Sequence, residues 1–266
     1  MKKIAIVTGG SSGIGLEITK ALIKRNYFVY TISRRNFSQF NTDVSVHFSA
    51  DVAEETAVKT VIEKIYGAEK HIHLLVCAAG FGISGAAEFT EAEDAHRQVD
   101  VNFFGTFFAL KTVSGYMRAQ GFGRIITVSS VAGEIAIPFQ SFYSASKAAV
   151  NKFMEAFRAE TAPFGISCAV IMPGDTVTPF SKKRKKSEKG DGIYNGRIEK
   201  SVSKMEVDEA KGMNAAKLGE FIAAIAEKKR IRFTYPYNRN YGFLLFLYRI
   251  LPRRFSLYLV KKLYAE

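Results

Sequence analysis

The sequence predicts an α/β fold, in which a doubly wound parallel sheet of seven strands carries helices on both faces. Short runs rich in valine, isoleucine and aromatic residues alternate with helical patterns along the 266-residue chain. Several of these runs are apolar throughout, as expected of strands that are buried on both faces. A glycine-rich turn also follows the first run and opens a helix. These features favour a single domain with right-handed crossovers and a C-terminal helical extension.

The predicted elements follow one another in regular order. Strands are predicted at residues 3–8, 28–33, 45–49, 73–77, 124–129, 167–172 and 231–235. Helices are predicted at residues 15–25, 54–66, 91–120, 143–162 and 215–228. We interpret residues 1–240 as the domain and 241–266 as a basic amphipathic tail, which Pro252 divides into two short helices.

A polar, charged connection, residues 175–214, interrupts this alternation of strands and helices. A long connection after a late strand is typical of a mobile lid. Its basic run, residues 182–189, either binds an anion or is a solvated loop.

The formal charge of the chain is +13, from 38 basic and 25 acidic residues. This balance favours anionic partners such as a phosphate-bearing ligand or an acidic membrane surface, unless the lysines are merely solvated. No nucleic-acid-binding motif accompanies the charge, so we expect no nucleic-acid partner. Cys77 and Cys168 lie in apolar runs and predict buried thiols rather than a disulfide or a metal site. Neither a signal peptide nor a spanning run is apparent, which predicts a cytoplasmic protein.

The turn "TGGSSGIG", residues 8–15, lies between the first strand and the first helix. Glycines at positions 9, 13 and 15 allow a tight turn and a close approach of backbone N–H groups to a pyrophosphate. The helix N-terminus adds unpaired donors and partial positive charge. This turn therefore predicts a phosphate cradle.

The turn resembles the T-G-x-x-x-G-I-G motif of the short-chain dehydrogenase/reductase family. The resemblance covers residues 1–180 with specific motifs. It implies a Rossmann fold and an oxidoreductase that acts on CH–OH or C=O groups with a nicotinamide cofactor. In this turn it assigns cofactor binding to Gly9, Ser11, Ser12, Gly13, Ile14 and Gly15.

The end of the second strand, "YTISRRN", indicates which nicotinamide cofactor is used. Ser33 stands where NAD-binding folds usually have an acidic residue for the ribose 2′-OH, and Arg34 and Arg35 follow. Guanidinium groups bind a 2′-phosphate, which a carboxylate would repel. We therefore predict NADP(H). Some NADP(H)-dependent relatives have a basic residue where this chain has Ser12, so the two arginines would act alone.

Further motifs match the family in order. The resemblance assigns contacts with the cofactor to Asp51 and Val52 of "ADV" and to Ala78, Ala79 and Gly80 of "CAAG". Relatives have N-N-A-G in place of "CAAG", so two asparagine side chains are absent. In "MPGDTVTP" it assigns Pro173, Gly174, Thr176 and Thr178, with Thr176 replacing the usual aliphatic residue.

Four polar residues match the family's catalytic tetrad. Tyr143 and Lys147 are i and i+4 and therefore share one helix face. Ser130 lies thirteen residues before Tyr143, a spacing that selects it over Ser129, and Asn102 lies further upstream.

Roles for these four residues follow from the resemblance. Tyr143 would exchange the proton of the alcohol, with its pKa lowered by Lys147 and the oxidised nicotinamide. Lys147 would hold the nicotinamide ribose, Ser130 would orient the substrate oxygen, and Asn102 would help to anchor a water that reaches Lys147.

The expected substrate is a small, hydrophobic ketone or alcohol, lipid-like or steroid-like, because residues 81–85 and 134–140 are apolar and aromatic. One alternative is a 3-oxoacyl-(carrier protein) reductase whose basic lid meets an acidic carrier. Another is a non-catalytic NADP(H)-binding regulatory or membrane-associated protein.

The tail is basic, aromatic and amphipathic. It either contacts an acidic membrane surface peripherally or packs on the core or on another subunit. The family resemblance implies a homo-oligomer, a dimer or a tetramer.

Overall fold

The computed structural model describes residues 2–37 and 40–264. Its strands are β1 (Lys3–Thr8), β2 (Tyr27–Ser33), β3 (Ser45–Ser49), β4 (Leu74–Cys77), β5 (Ile83–Ser84), β6 (Gly123–Val128), β7 (Ile166–Met172), β8 (Thr176–Val177), β9 (Lys185–Lys186), β10 (Met213–Asn214) and β11 (Thr234–Pro236). Seven of them form one parallel sheet in the order β11-β7-β6-β4-β1-β2-β3. This order confirms the predicted doubly wound sheet.

Helices cover both faces of this sheet. They are α1 (Gly13–Ile23), α2 (Glu55–Glu69), α3 (Ala92–Val99), α4 (Gly105–Gln120), α5 (Ser141–Thr161), α6 (Phe180–Lys183), α7 (Arg197–Ala210), α8 (Ala215–Glu227), α9 (Arg239–Ile250) and α10 (Arg253–Tyr264). The apolar stripes of α2, α4 and α5 form the core on one face, and those of α1 and α8 form it on the other. β1 supplies both cores, because its side chains alternate: Ile4 and Ile6 face one, Ala5 and Val7 the other.

The strand order reverses between β1 and β4. From β1 the chain moves outward through β2 and β3, then returns to the other side of β1 to form β4. Such a switch point leaves a crevice at the carboxyl ends of the strands, where ligands bind in folds of this kind. A Cβ built at Gly9, after β1, would lie 2.8 Å from the Cα of Ala79, after β4. The turn after β1 therefore needs glycine to reach the end of β4.

Two predicted elements differ from the structure. The predicted helix 91–120 is continuous from Ala92 but widens into a π-helical segment, Asp100–Phe104, between α3 and α4. The predicted strand 231–235 begins too early, because the first backbone contact with β7 is the bond from the Val170 N–H to the Phe233 carbonyl. The local sequence pattern encodes neither the π-helical segment nor the later start of the last strand, because both depend on neighbouring elements.

The connection 175–214 is folded rather than an open loop. It contains β8, α6, β9, α7 and β10, and β9 pairs with β5. Lysines of the basic run form ion pairs: Lys185 with Asp94 and Lys189 with Glu91. Much of the basic run is therefore neutralised by acidic residues of the same chain.

The tail forms two helices, with Pro252 between them, as predicted. The first of them, α9, begins at Arg239. The Tyr241 hydroxyl donates to Asp175 Oδ2 at 2.7 Å, which fixes α9 to the connection. Among the residues that the structure describes, no helix has both the length and the apolar character needed to cross a bilayer.

Candidate active site

A cavity of about 1090 Å³ opens at the carboxyl ends of the strands, over the switch point. It is lined by every residue that the sequence assigns to cofactor binding, from Gly9 to Thr178. Ser130, Tyr143 and Lys147 also line it, and Asn102 lies behind its wall. The fold thus brings all the predicted site residues to one place.

The glycine turn has the geometry of an anion cradle. Gly9 and Gly13 have φ angles of +72° and +54°, which glycine adopts without strain. Ser12 does not cap α1, since its hydroxyl instead accepts a hydrogen bond from Arg35 Nη2 at 2.7 Å. The first N–H groups of α1 therefore remain free of a side-chain cap beside the cavity, which fits a bound pyrophosphate.

Positive charge gathers at one side of this cradle. Arg34 and Arg35 are exposed and line the cavity. Lys183, which the sequence analysis did not single out, lines it too, and both burial and the charge of Arg35 lower its pKa. Like charges repel, so their shared position fits a site for an anionic group. The only sequence signal for Lys183 is its place in the basic run.

Asp51 is an ionised acceptor at the same side of the cavity. Burial alone would raise the pKa of this carboxyl, but hydrogen bonds from the Ala53 N–H and from Arg97 outweigh burial and lower it. Cys77 of "CAAG" is a buried thiol whose pKa burial raises to about 12, which makes it unreactive. In the same segment, the Thr8 hydroxyl accepts a hydrogen bond from the Ala79 N–H at 3.4 Å.

Tyr143 and Lys147 lie on α5 and face the cavity together. Lys147 is 6% exposed, and its Nζ lies 5.9 Å from the centre of the Tyr143 ring. This ammonium donates to the Val128 carbonyl at 3.0 Å, at the end of β6. Helix α5 thus holds both side chains over the ends of the central strands.

The two adjacent serines have different partners. Ser130 hydrogen-bonds Tyr143, which favours ionisation of the phenol, and its Oγ accepts from the Ala132 N–H at 3.1 Å. The Ser129 hydroxyl instead donates to the Lys147 carbonyl at 3.3 Å. The bond between Ser130 and Tyr143 therefore supports the choice of Ser130 from spacing.

Burial opposes the predicted lowering of the pKa of Tyr143. Burial raises its pKa to about 12, although the hydrogen bond with Ser130 and the charge of Arg184 act to lower it. Burial also lowers the pKa of Lys147 to about 8. The cost of removing charge from water thus dominates the pKa values of both groups. Tyr143 therefore carries its proton at neutral pH.

Asn102 holds the π-helical segment against the loop after β4. Its Oδ1 accepts from the Phe81 N–H at 3.0 Å, while its Nδ2 donates to Ser146 Oγ at 3.0 Å. A Cβ built at Gly80 would lie 3.1 Å from Asn102 Oδ1 and 3.5 Å from Lys147 Nζ. Asn102 and Lys147 therefore meet at one point beside Gly80.

The remaining walls of the cavity are mainly apolar. The predicted walls contribute Phe81, Ile135 and Ile137, and the connection contributes Phe180. The tail also lines the cavity, which the sequence analysis did not foresee; its contribution includes Leu244, Leu247, Leu251, Leu259, Val260 and Leu263. Periodicity predicts such helices but not the surface on which they pack.

The short chain dehydrogenase family model matches residues 3–189 of the chain. The chain belongs to the short-chain dehydrogenase family. It is therefore an oxidoreductase that uses a nicotinamide cofactor. It is 34% identical to a 3-ketodihydrosphingosine reductase of Bacteroides thetaiotaomicron, over 85% of this chain and 84% of the relative.

Other members of the family match nearly the whole chain. A probable short-chain type dehydrogenase/reductase of Helicobacter pylori, VdlC, is 30% identical over 94% of this chain and 93% of its own. A short-chain dehydrogenase structure from Streptomyces avermitilis superposes with a TM-score of 0.85 and 24% identity, covering 98% of this chain and 97% of its own. This superposition includes the tail within the shared fold.

We predict that Lys147 titrates far below an exposed lysine, because its ammonium is buried. Its pKa of about 8 means that it is charged below that pH and neutral above it. NMR titration of the protein labelled with carbon-13 at lysine Cε would measure this, with Lys147→Met to assign the resonance. Lys152 is the internal control, since its hydrogen bond with Glu155 raises its pKa. If Lys147 titrated over the same pH range as Lys152, burial would not be the main influence on the pKa of Lys147.

Proposed function

We propose that this oxidoreductase uses NADPH to reduce a lipid-like ketone to its secondary alcohol. The observation that carries the proposal is that Tyr143 and Ser130 line the same cavity as the cationic, glycine-lined turn and a set of apolar side chains. The name of the Bacteroides relative, 3-ketodihydrosphingosine reductase, supports a ketone on a long apolar chain as the substrate class.

In this proposal each residue of the site has one task. When bound in the cavity, a nicotinamide cofactor would supply the hydride for the carbonyl carbon. The Ser130 hydroxyl donates a hydrogen bond to the carbonyl oxygen and orients it. Tyr143, protonated because burial raises its pKa, gives its proton to that oxygen as negative charge develops there. Lys147 holds the ribose hydroxyls of the cofactor, and Asn102 helps to anchor a water beside Lys147.

The preference for NADPH rests on the cations around the cradle. Ser33 leaves no carboxylate at the end of β2, and its hydroxyl donates to Ser11 Oγ at 2.8 Å. Arg34, Arg35 and Lys183 present positive charge to the same side of the cavity. A 2′-phosphate carries the charge that would offset their repulsion.

The two serines give a test of the chemistry with a matched control. Ser130→Ala removes a donor to the developing oxyanion, so we expect kcat for ketone reduction to fall about 100- to 1000-fold. Ser129→Ala removes only the bond to the Lys147 carbonyl, so we expect a loss of roughly 0.5–1.5 kcal/mol in the free energy of unfolding and a much smaller kinetic effect. Equal kinetic losses in the two variants would contradict the assignment.

The cationic side gives a test of cofactor choice. Arg34→Ala and Arg35→Ala should each weaken NADPH binding by roughly 10- to 100-fold and affect NADH much less, because only NADPH carries the 2′-phosphate. Fluorescence titration with each nucleotide measures this. Arg118, whose guanidinium lies over the Phe164 ring outside the cavity lining, supplies the control Arg118→Ala. Equal loss of both nucleotides in the Arg35 variant would argue against NADP(H).

We further propose that the protein is cytoplasmic and meets an acidic membrane surface through its tail. While one side of α9 and α10 lines the cavity, other apolar side chains of these helices are exposed: Phe243, Phe246, Ile250, Phe255, Leu257 and Tyr258. Arg249, Arg253 and Arg254 flank them. Apolar side chains framed by cations suit a surface of anionic lipid.

Vesicle binding tests the tail proposal. The protein should sediment with phosphatidylserine-containing vesicles and much less with pure phosphatidylcholine vesicles. Phe246→Ser combined with Ile250→Ser should release it by removing exposed apolar area. Val44→Ser is the control, since Val44 is 45% exposed beside β3, at the opposite edge of the sheet from β11. Release by the control to the same extent would contradict a specific role of the tail.

Self-association as a dimer or a tetramer stays a prediction. Phe104, which is 39% exposed, and its ring neighbours Phe103 and Phe108 form an aromatic surface at the start of α4. A second copy of the chain is the partner that we propose for this surface.

A further inference from the structure

The loop after β2, which carries both arginines of the cavity, is bonded along its backbone to the end of β3. Three consecutive carbonyls at the start of this loop each accept a hydrogen bond from β3 or from the residue that follows it. The donors are the Ala50 N–H to Ser33 at 3.0 Å, the Ser49 hydroxyl to Arg34 at 3.0 Å and His47 Nε2 to Arg35 at 2.7 Å. Contacts within the protein therefore fix the backbone from which both guanidinium groups extend.

Among these donors, the His47 side chain is the one that the fold encloses. His47 is 8% exposed, whereas Ser49 is exposed. A hydrogen bond inside a protein is electrostatically stronger than one in water, so the bond from His47 is the stronger of the two side-chain bonds. The register of the parallel strands places His47 beside Thr31 of β2, and Nδ1 lies 2.7 Å from Thr31 Oγ1. Both ring nitrogens of His47 thus have a partner.

These partners determine where the imidazole carries its proton. A backbone carbonyl only accepts hydrogen bonds, so the proton lies on Nε2 and points to Arg35. Nδ1 then accepts from the Thr31 hydroxyl. Burial lowers the pKa of His47, although the bond with the Arg35 carbonyl acts to raise it, so the ring is neutral at neutral pH.

The same contacts connect His47 with the glycine turn. A Cβ built at Gly10 would lie 2.5 Å from Cγ2 of Thr31, so the threonine packs directly on the turn. On the other side of His47, the Arg35 guanidinium returns to the turn and donates to Ser12 Oγ at 2.7 Å. These contacts form a closed ring that begins and ends at the glycine turn and passes through His47.

The arginines need such support because they lie among like charges. Arg34 and Arg35 are exposed, and burial and the charge of Arg35 together lower the pKa of Lys183. Repulsion between cations favours a loop in which these side chains turn apart into water. An anion would then have to order the loop as it binds, which lowers its affinity. A loop that is fixed in advance avoids this cost.

We propose that His47 is a positioning residue, which sets the preference for NADPH over NADH by holding the Arg35 carbonyl. The inference rests on the proposed function and adds to it a residue of β3 that lies behind the cavity lining. His47 therefore acts through Arg35 rather than by contact with the 2′-phosphate.

Two amide variants of different length test this inference. His47→Gln places an N–H group where Nε2 stands and keeps the bond to Arg35, whereas the shorter side chain of His47→Asn reaches only as far as Nδ1 and loses that bond. Fluorescence titration gives the ratio of Kd for NADH to Kd for NADPH. This ratio should stay within about twofold of the native value in His47→Gln and fall roughly 3- to 10-fold in His47→Asn. Equal ratios in the two variants would overturn the inference.

Binding of NADH guards against a fold defect. Both variants should bind NADH as the native protein does, because the glycine turn stays formed and NADH has no 2′-phosphate. His73→Asn is the matched control, since His73 Nδ1 accepts the Ile4 N–H at 3.1 Å near the start of β1, at the opposite end of the strands from the cavity. It should leave the ratio unchanged. A fall in His73→Asn equal to that in His47→Asn would argue against a specific role of His47.

A double-mutant cycle shows whether His47 acts through Arg35. In an Arg35→Ala background, His47→Asn should change the ratio much less than in the native background, because the side chain that His47 positions is absent. The same fall in both backgrounds would overturn the inference.

Failure of the proposed function gives a different result. If the native protein binds NADH as tightly as NADPH, the cofactor assignment fails, and the role of His47 fails with it. If the native protein prefers NADPH and Arg35→Ala removes that preference while His47→Asn retains it, the cofactor assignment stands and the inference about His47 alone is overturned.

Discussion

The buried ammonium of Lys147 is the constraint on which the arrangement of the site depends. It is held at the end of β6 by the Val128 carbonyl and lies beside Asn102 at Gly80, after β4. The Ser129 hydroxyl binds the carbonyl of the same lysine. Through this one residue, α5 is bonded to the end of β6 and lies close to the loop after β4 and to Asn102 of the π-helical segment. Tyr143, one helical turn earlier, is thereby directed into the cavity.

Burial that positions these groups also sets their charges. Because water is excluded, the pKa of Tyr143 rises and that of Lys147 falls, and the phenol keeps its proton at neutral pH. This state suits reduction, in which Tyr143 gives up a proton. The cavity also combines two kinds of lining, with cationic side chains and uncapped N–H groups at the glycine turn and apolar side chains from the tail. Such a lining suits an anionic cofactor that binds together with an apolar substrate.

Sequence alone predicted the parts that local pattern encodes. The seven strands, the glycine turn and the Tyr143/Lys147 pair depend on periodicity, backbone freedom and helical spacing. The π-helical segment was not predictable in this way, because Asn102 holds it through contacts with Phe81 and Ser146 that lie far along the chain. Nothing in the sequence distinguishes Lys183 from the other lysines of the basic run, and only the fold places it near Arg35. The tail likewise reaches the cavity only through tertiary packing.

Transfer of deuterium from labelled NADPH tests the central claim most directly. The native protein would be mixed with a long-chain ketone and an excess of NADPH deuterated at the transferable position of C4, and the product would be analysed by mass spectrometry. The account predicts a secondary alcohol with one deuterium on the former carbonyl carbon, and no such product from the Tyr143→Phe variant at comparable times. Tight binding of NADPH without any labelled alcohol from a series of long-chain ketones would contradict it.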